Sequence, residues 1–341
     1  MMNDIKLDWN DIAIVPEIIS EISSRSEINP FLNGKLPLFT APMDTVIDEN
    51  NIKDFEENNI NICLPRNVKY NLIKNDGYFY SYGLDEIIEM FNSDANFPKK
   101  VLIDVANGNM KRLWEISKSI KEKFGSDVEL MVGNIANPLT YREYCEIGVD
   151  WIRVGIGGGS ACTTSANVSI HYPMASLIRE CKDRSYGFDN PTKIIADGGF
   201  RSFSDIIKAL AMGADAVMLG GVFNKCLESC GDNFELVNFD YQKIDLEVSK
   251  QKFESGVDVY KYYRGMSTKE VQKSWNRAEL KTGEGISKYN KVESTLPGWC
   301  ENFTDYLKSA MSYTGCRNLK EYCGEVEWIQ ISDNAFKRFH K

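Results

Sequence analysis

The feature of this sequence richest in chemistry is a cysteine set in a glycine-rich loop. Residues 151–165 read WIRVGIGGGSACTTS. Trp151, Ile152 and Val154 predict a buried strand, and the run then breaks into Gly155, Gly157, Gly158 and Gly159. Glycines in that number cannot pack a core, but they let backbone N–H and C=O groups approach a ligand or ion. Cys162 follows at once, flanked by Thr163 and Thr164, at the strand end where parallel α/β proteins place their chemistry. A partly exposed thiol among backbone dipoles is a candidate nucleophile. Taken alone, the same cysteine also fits a small buried hydrophobe beside a tight turn.

Other stretches add compatible chemistry. In ADGG (residues 196–199), an ionised Asp197 can accept two ribose hydroxyls while Gly198 and Gly199 offer N–H groups to a phosphate. An Asp that caps the next helix fits equally well. LGG (219–221) before a helix makes Gly220 and Gly221 a second phosphate seat. Two such seats favour a nucleotide, and the lack of a Walker pattern favours a mononucleotide. RGMST (264–268) fits a base edge or a phosphate, or simply a strand exit. The polar stretch 275–295 reads as a flap or a surface loop, and Glu284, between two glycines, is its candidate for proton transfer.

These residues need a scaffold that gathers them. Apolar runs at 36–44, 60–67, 101–108, 129–135, 151–157, 192–199 and 216–221 each precede a helical pattern, and VYKYYRGM (259–266) supplies an eighth strand. Such runs indicate parallel strands buried on both faces. Eight units without a Pro/Ser-rich linker favour a closed (β/α)8 TIM barrel, α/β in class, over an open doubly wound sheet. The whole of 1–341 is expected to be one barrel domain, with an irregular lead-in and a flap at about 268–296. Asp44, Asn107, Asn134, Cys162, Asp197 and Gly220–Gly221 are expected to ring one pocket.

Composition removes several classes. With a net charge of −9 and no basic run, nucleic acid is not an expected partner. No stretch approaches the ~18 apolar residues of a membrane span, and the polar, acidic N-terminus reads as neither signal nor transit peptide. Nine cysteines without CxxC pairing suit reduced thiols in a cytoplasmic setting. Two histidines, His171 and His340, argue against a His-based metal site or a Ser-His-Asp triad.

APMDT, GIGGGSACTT, ADGG, GADAVMLGG and YRGMS stand in an order and spacing that resemble the IMP dehydrogenase/GMP reductase family, over residues 7–322. The resemblance implies a (β/α)8 barrel, usually a homotetramer, whose cysteine attacks C2 of a purine nucleotide. On it, Cys162 is the nucleophile, and Thr164 and Glu284 fall on the reductase branch's proton-transfer positions. Asp197, Gly198, Gly199, Gly220, Gly221, Gly265, Met266, Ser267 and Gly285 would hold the nucleotide. Lys281 stands where the reductase commonly has a phosphate-contacting Arg. Ser24 and Arg25 (from a neighbouring subunit), Arg66, Asp104, Val105 and Ala106 would meet the dinucleotide. The carbonyls of Gly157, Gly159 and Cys162 would hold a monovalent cation such as K⁺, with Ser165 in place of the family's common Arg.

The branch also has sequence markers. No Arg-Tyr pair, the dehydrogenase's water activator, lies between Met266 and Glu284. Asn107 in DVANG stands where the dehydrogenase usually has His, and no CBS insertion is expected. APMDT and PRN (65–67) are closer to the dehydrogenase. SANVSIHYPM replaces a more regular TGVGxPQ and loses a Gln that neighbours the base. Residues 231–258 are longer and more polar than usual. The activity implied is NADPH-dependent reductive deamination of GMP to IMP and ammonia. The alternatives are an IMP dehydrogenase without CBS domains, or a relative acting on a modified purine nucleotide.

Overall fold

The computed structural model of the protein describes residues 5–93, 97–274 and 282–339. Eight parallel strands form its centre: β1 (Leu38–Thr40), β2 (Cys63–Leu64), β3 (Phe79–Tyr82), β4 (Lys100–Asp104), β5 (Glu129–Ile135), β6 (Trp151–Val154), β7 (Lys193–Asp197) and β8 (Ala216–Leu219). From β2 to β8 each strand pairs with the next in sequence, and β1 pairs with β8. Between β1 and β2 the sheet closes through Asn61, whose N–H donates to Leu38 and whose carbonyl accepts from Thr40. The Thr40 hydroxyl completes this seam, donating to the Cys63 carbonyl at 2.9 Å and accepting from its N–H at 2.8 Å. The result is the expected (β/α)8 TIM barrel.

Side chains alternate along each strand, so every second residue faces the barrel axis. Phe39, Cys63, Phe79, Leu102, Met131, Trp151, Ile195 and Met218 meet there as a buried plug. The opposite faces pack against helices such as Lys111–Phe124, Met174–Ser185 and Phe203–Ala211 in a second, larger cluster. Local signals set these helices. Pro138 opens Pro138–Glu146 at its first turn, and Ser202 and Asp205 form a capping box on Phe203–Ala211.

Two expectations are corrected. The barrel strand not anticipated is β3, FYSY, whose four residues are all buried. Two of its three hydroxyls find carbonyls outside the strand: Ser81 donates to the Leu64 carbonyl at 2.6 Å, and Tyr80 to the Asn75 carbonyl at 3.2 Å. The run expected as the eighth barrel strand instead joins an antiparallel sheet outside the barrel. That sheet comprises β9 (Asn233–Val237), β10 (Asp240–Ile244), β11 (Tyr260–Arg264) and β12 (Ser287–Lys291), in the order β10-β9-β11-β12. Much of the long polar segment 231–258 is thus a hairpin followed by the helix Leu246–Glu254. Near the N-terminus, Ile12–Ile14 pairs antiparallel with Trp328–Gln330.

Candidate active site

Two residues beyond the apolar plug, the inward row turns charged. Leu102 is followed by Asp104, Trp151 by Arg153 and Ile195 by Asp197, so three ionised side chains converge above the plug at the strands' C-terminal ends. Arg153 donates from Nη1 to Asp104 Oδ1 at 2.7 Å, and from Nη2 and Nε to Asp197 Oδ2 at 2.8 and 3.1 Å. Arg66 Nε reaches Asp104 Oδ2 at 3.2 Å, and its Nη2 donates to the Asp104 carbonyl. Asn134 adds a 2.7 Å bond to Asp197 Oδ2. Burial pushes the Asp104 carboxyl up, but the Arg153 and Arg66 guanidiniums outweigh it and hold it below the usual carboxylate range. Gly133, between Asp104 and Arg153 in register, leaves the space Arg153 fills; a Cβ there would lie 2.5 Å from the Arg153 Cβ.

Above this row opens a cavity of about 530 Å³, within the ~300–1,000 Å³ of small-molecule sites. Its wall includes Arg66, Asp104, Val105, Ala106, Asn134, Gly157, Gly159, Cys162, Thr164, Asp197, Gly198, Gly199, Gly220, Gly221, Gly265, Met266 and Ser267. Arg66 to Ala106 come from β2 and β4, across the barrel from the β7 and β8 glycines. The glycine seat is tight. Gly198 and Gly199 hold φ of +100° and +84°, and a Cβ on Gly265 would stand 2.5 Å from the Ala161 carbonyl. Tyr263 brings its hydroxyl to this seat, 3.1 Å from where a Cβ on Gly220 would sit.

Cys162 is half-buried on the wall, and its thiol donates to Thr164 Oγ1 at 3.2 Å. Thr164 in turn donates to Glu284 Oε2 at 2.5 Å. Backbone pairing holds Glu284 in place. Thr163 N–H donates to the Glu284 carbonyl, Ile286 N–H to Ala161 and Glu284 N–H to Ser267, so Gly285 lies opposite Cys162 as a bridge partner. Three sequence-distant pieces, around Cys162, Ser267 and Glu284, thus meet. The 157–165 loop, expected to hold a cation, is braced internally: Ser165 Oγ donates to the Gly157 carbonyl at 3.0 Å, and Cys162 N–H to the Gly159 carbonyl at 2.9 Å. Among the described residues no His/Cys/Asp/Glu cluster could hold a metal.

Not every expected residue arrives. Asp44 leaves the ring to pair with Arg264 at 2.7 Å, and Asn107 caps the Asn109 N–H at 3.0 Å. Ser24 and Arg25 are exposed on a short 3-10 helix against Leu296–Tyr313, off this chain's own cavity wall. Lys281 lies outside the described residues. Sequence reasoning missed Arg153 and Tyr263. The usable signal for Arg153 is a lone cation within a buried strand, with Asp at the ends of β4 and β7.

A closed barrel with a thiol, carboxylates and a glycine seat gathered at the C-terminal mouth has the architecture of the (β/α)8 enzymes. Residues 96–341 match the IMP dehydrogenase / GMP reductase domain, and the chain belongs to that family of oxidoreductases. It is 28% identical to human GMP reductase 2, with 98% of this chain and 96% of that protein aligned. It is 27% identical to the GMP reductase of Phytophthora infestans, over 98% and 93% of the two chains. The inosine-5'-monophosphate dehydrogenase of Cryptosporidium parvum is 32% identical over 70% of this chain and 56% of its own length. Among the described residues no helix is long and apolar enough to cross a membrane.

Proposed function

We propose that the protein is a GMP reductase, converting GMP to IMP and ammonia with NADPH as reductant. The observation that carries this reading is the unbroken line from Cys162 through Thr164 to Glu284, at 3.2 and 2.5 Å. The thiol proton moves to Thr164 as the threonine's own proton moves to Glu284, which leaves a thiolate. The thiolate adds to C2, making it tetrahedral. The C2–N bond breaks as Glu284 returns a proton through Thr164 to the departing ammonia. The covalent C2–S bond remains. Bound NADPH supplies the hydride that C2 then needs. The C2–S bond breaks, its electron pair returns to sulfur and IMP leaves. Asp197 accepts from the ribose, and the Gly198–Gly199 and Gly220–Gly221 amides take the phosphate. Arg66, Asp104, Val105 and Ala106 line the opposite wall and suit the nicotinamide end of the reductant.

The test is loss of NADPH absorbance with GMP, wild type against Cys162→Ala. Consumption that vanishes in the variant is the expected result. A flat trace with GMP alongside turnover of IMP with NAD⁺ would assign the dehydrogenase reaction instead, a reading favoured by the 32% identity to the Cryptosporidium enzyme. Silence with both would point to a modified purine nucleotide.

Further parts of the proposal concern cation, assembly and compartment. The carbonyls of Gly157 and Gly159 each keep a second lone pair, and neutral carbonyl oxygens suit K⁺ better than a divalent ion. Turnover is expected to fall when Li⁺ replaces K⁺. We read 1–341 as one barrel domain whose flap spans about 268–296, assembled as a homotetramer. All nine cysteines are free thiols, which suits a reducing cytoplasm.

A further inference from the structure

The glycine seat accounts for a phosphate's contacts with backbone, but two cations beside it stand without a counter-ion. Arg201 follows Gly198, Gly199 and Phe200 and lines the cavity. Its side chain is exposed and makes no ion pair or hydrogen bond among the described residues. Lys288 lies on β12 directly opposite Tyr263 on β11. Residues opposite one another across an antiparallel pair share a face. Lys288 is therefore on the face that brings the Tyr263 hydroxyl to Gly220 and Gly221, its Nζ 5.6 Å from the Tyr263 ring centre. It too lacks an acidic partner among the described residues.

The neighbouring charges sharpen the point. Lys225, close by, is neutralised by Glu293 at 2.7 Å. Burial, Lys225 and Arg201 together pull the Lys288 pKa down, so this is a cation held among cations. Two uncompensated positive charges beside a row of backbone N–H groups repel one another and contribute nothing to folding. A dianion between them relieves that repulsion and gains charge-assisted hydrogen bonds.

We propose that Arg201 and Lys288 are the side-chain arms of the phosphate site, closing on the dianion from the open side of the glycine seat. The proposal rests on the nucleotide reading above and adds to it the source of discrimination between nucleotide and nucleoside. Arg201 comes from the loop after β7, and Lys288 from the strand that begins three residues after Glu284. The clamp thus joins the barrel to the segment carrying the proton-transfer carboxylate.

The experiment titrates GMP, guanosine and inorganic phosphate into wild type, Arg201→Gln, Lys288→Gln, the double variant and Lys288→Arg by calorimetry, with turnover measured in parallel. Each Gln variant is expected to weaken GMP and phosphate about tenfold, as for loss of a hydrogen bond to a charged group. Lys288→Arg is expected to retain binding, and guanosine affinity to stay the same throughout. Equal affinity for GMP in wild type and the double variant, with turnover intact, would overturn the clamp and leave the GMP reductase reading standing. A wild type that does not turn over GMP, yet loses phosphate affinity in the Gln variants, would keep the clamp and remove that reading.

Discussion

Nine thiols are present, but they are not chemically equivalent. Burial pushes Cys63 up to about 12 and raises Cys230 and Cys323 as well, which keeps them protonated and inert at neutral pH. Cys162 has a cavity in front of it and a hydrogen-bonded line through Thr164 to Glu284 behind it, the route of proton transfer in the proposed mechanism. Iodoacetamide mapped by peptide mass is therefore expected to label Cys162 first, and saturating GMP to suppress that labelling. Loss of Thr164 or Glu284 breaks the path without emptying the nucleotide site. Thr164→Val and Glu284→Gln are each expected to lower kcat by roughly 10²–10⁴-fold, the range of general acid–base catalysis, with KM for GMP little changed. A rise in KM with kcat intact would show that these residues hold the nucleotide and move no proton.

At the scale of elements, the barrel's alternation decides where charge can sit. The period that fills the axis with Leu102, Trp151 and Ile195 makes Asp104, Arg153 and Asp197 the next inward layer, with Gly133 as the gap between them. Arg153 is the shared counter-ion of both carboxylates, and removing one partner from such a buried group costs about 3–5 kcal/mol. Arg153→Met is expected to lose stability of that order in denaturant unfolding. It is also expected to shift acid unfolding. The Asp104 pKa is depressed in the folded protein, so its contribution is full above about pH 4 and is lost as pH falls through the folded value. With Arg153 gone, only Arg66 opposes burial, that value rises, and the acid midpoint moves to higher pH. An unshifted midpoint would mean that Arg66 alone sets the Asp104 charge.

The same alternation explains what could be read from the sequence. Strand ends in Asp or Gly announce themselves, so Asp197 and the glycine seats are legible, as is the helix-after-strand rhythm; Asp104 enters only through the family resemblance. Arg153 is not legible, because WIRV read for overall apolarity hides that its third residue shares a face with Trp151 and not with Ile152. β3 was missed because FYSY bonds its Tyr80 and Ser81 hydroxyls to Asn75 and Leu64, contacts no local pattern encodes. Tyr260–Arg264 is a strand as its pattern suggests. Its partners, β9 and β12, flank it in sequence but lie outside the barrel, and only pairing distinguishes a barrel strand from a neighbour.

At the scale of the whole molecule, Ser24 and Arg25, expected to serve a neighbouring subunit, do not line this chain's own cavity. Ser24 caps the Ser26 N–H at 3.2 Å, and Arg25 stands exposed beside it on the barrel's outer wall, while the cavity opens at the strands' C-terminal mouth. If these residues meet the dinucleotide, they do so in a neighbouring protomer's cavity, and catalysis becomes a property of the interface. Co-expressing Arg25→Ala with Cys162→Ala separates the cases. Each variant alone is expected to be inactive or nearly so. In mixed oligomers a protomer with intact Cys162 can face a neighbour with intact Arg25, and activity is expected to return as the two are co-assembled. If Arg25 served its own chain, every protomer would lack one of the two groups and the mixture would stay at the level of its parents. Sedimentation of the same samples reads the assembly directly, and a monomer that retains full turnover would remove the shared-site arrangement altogether.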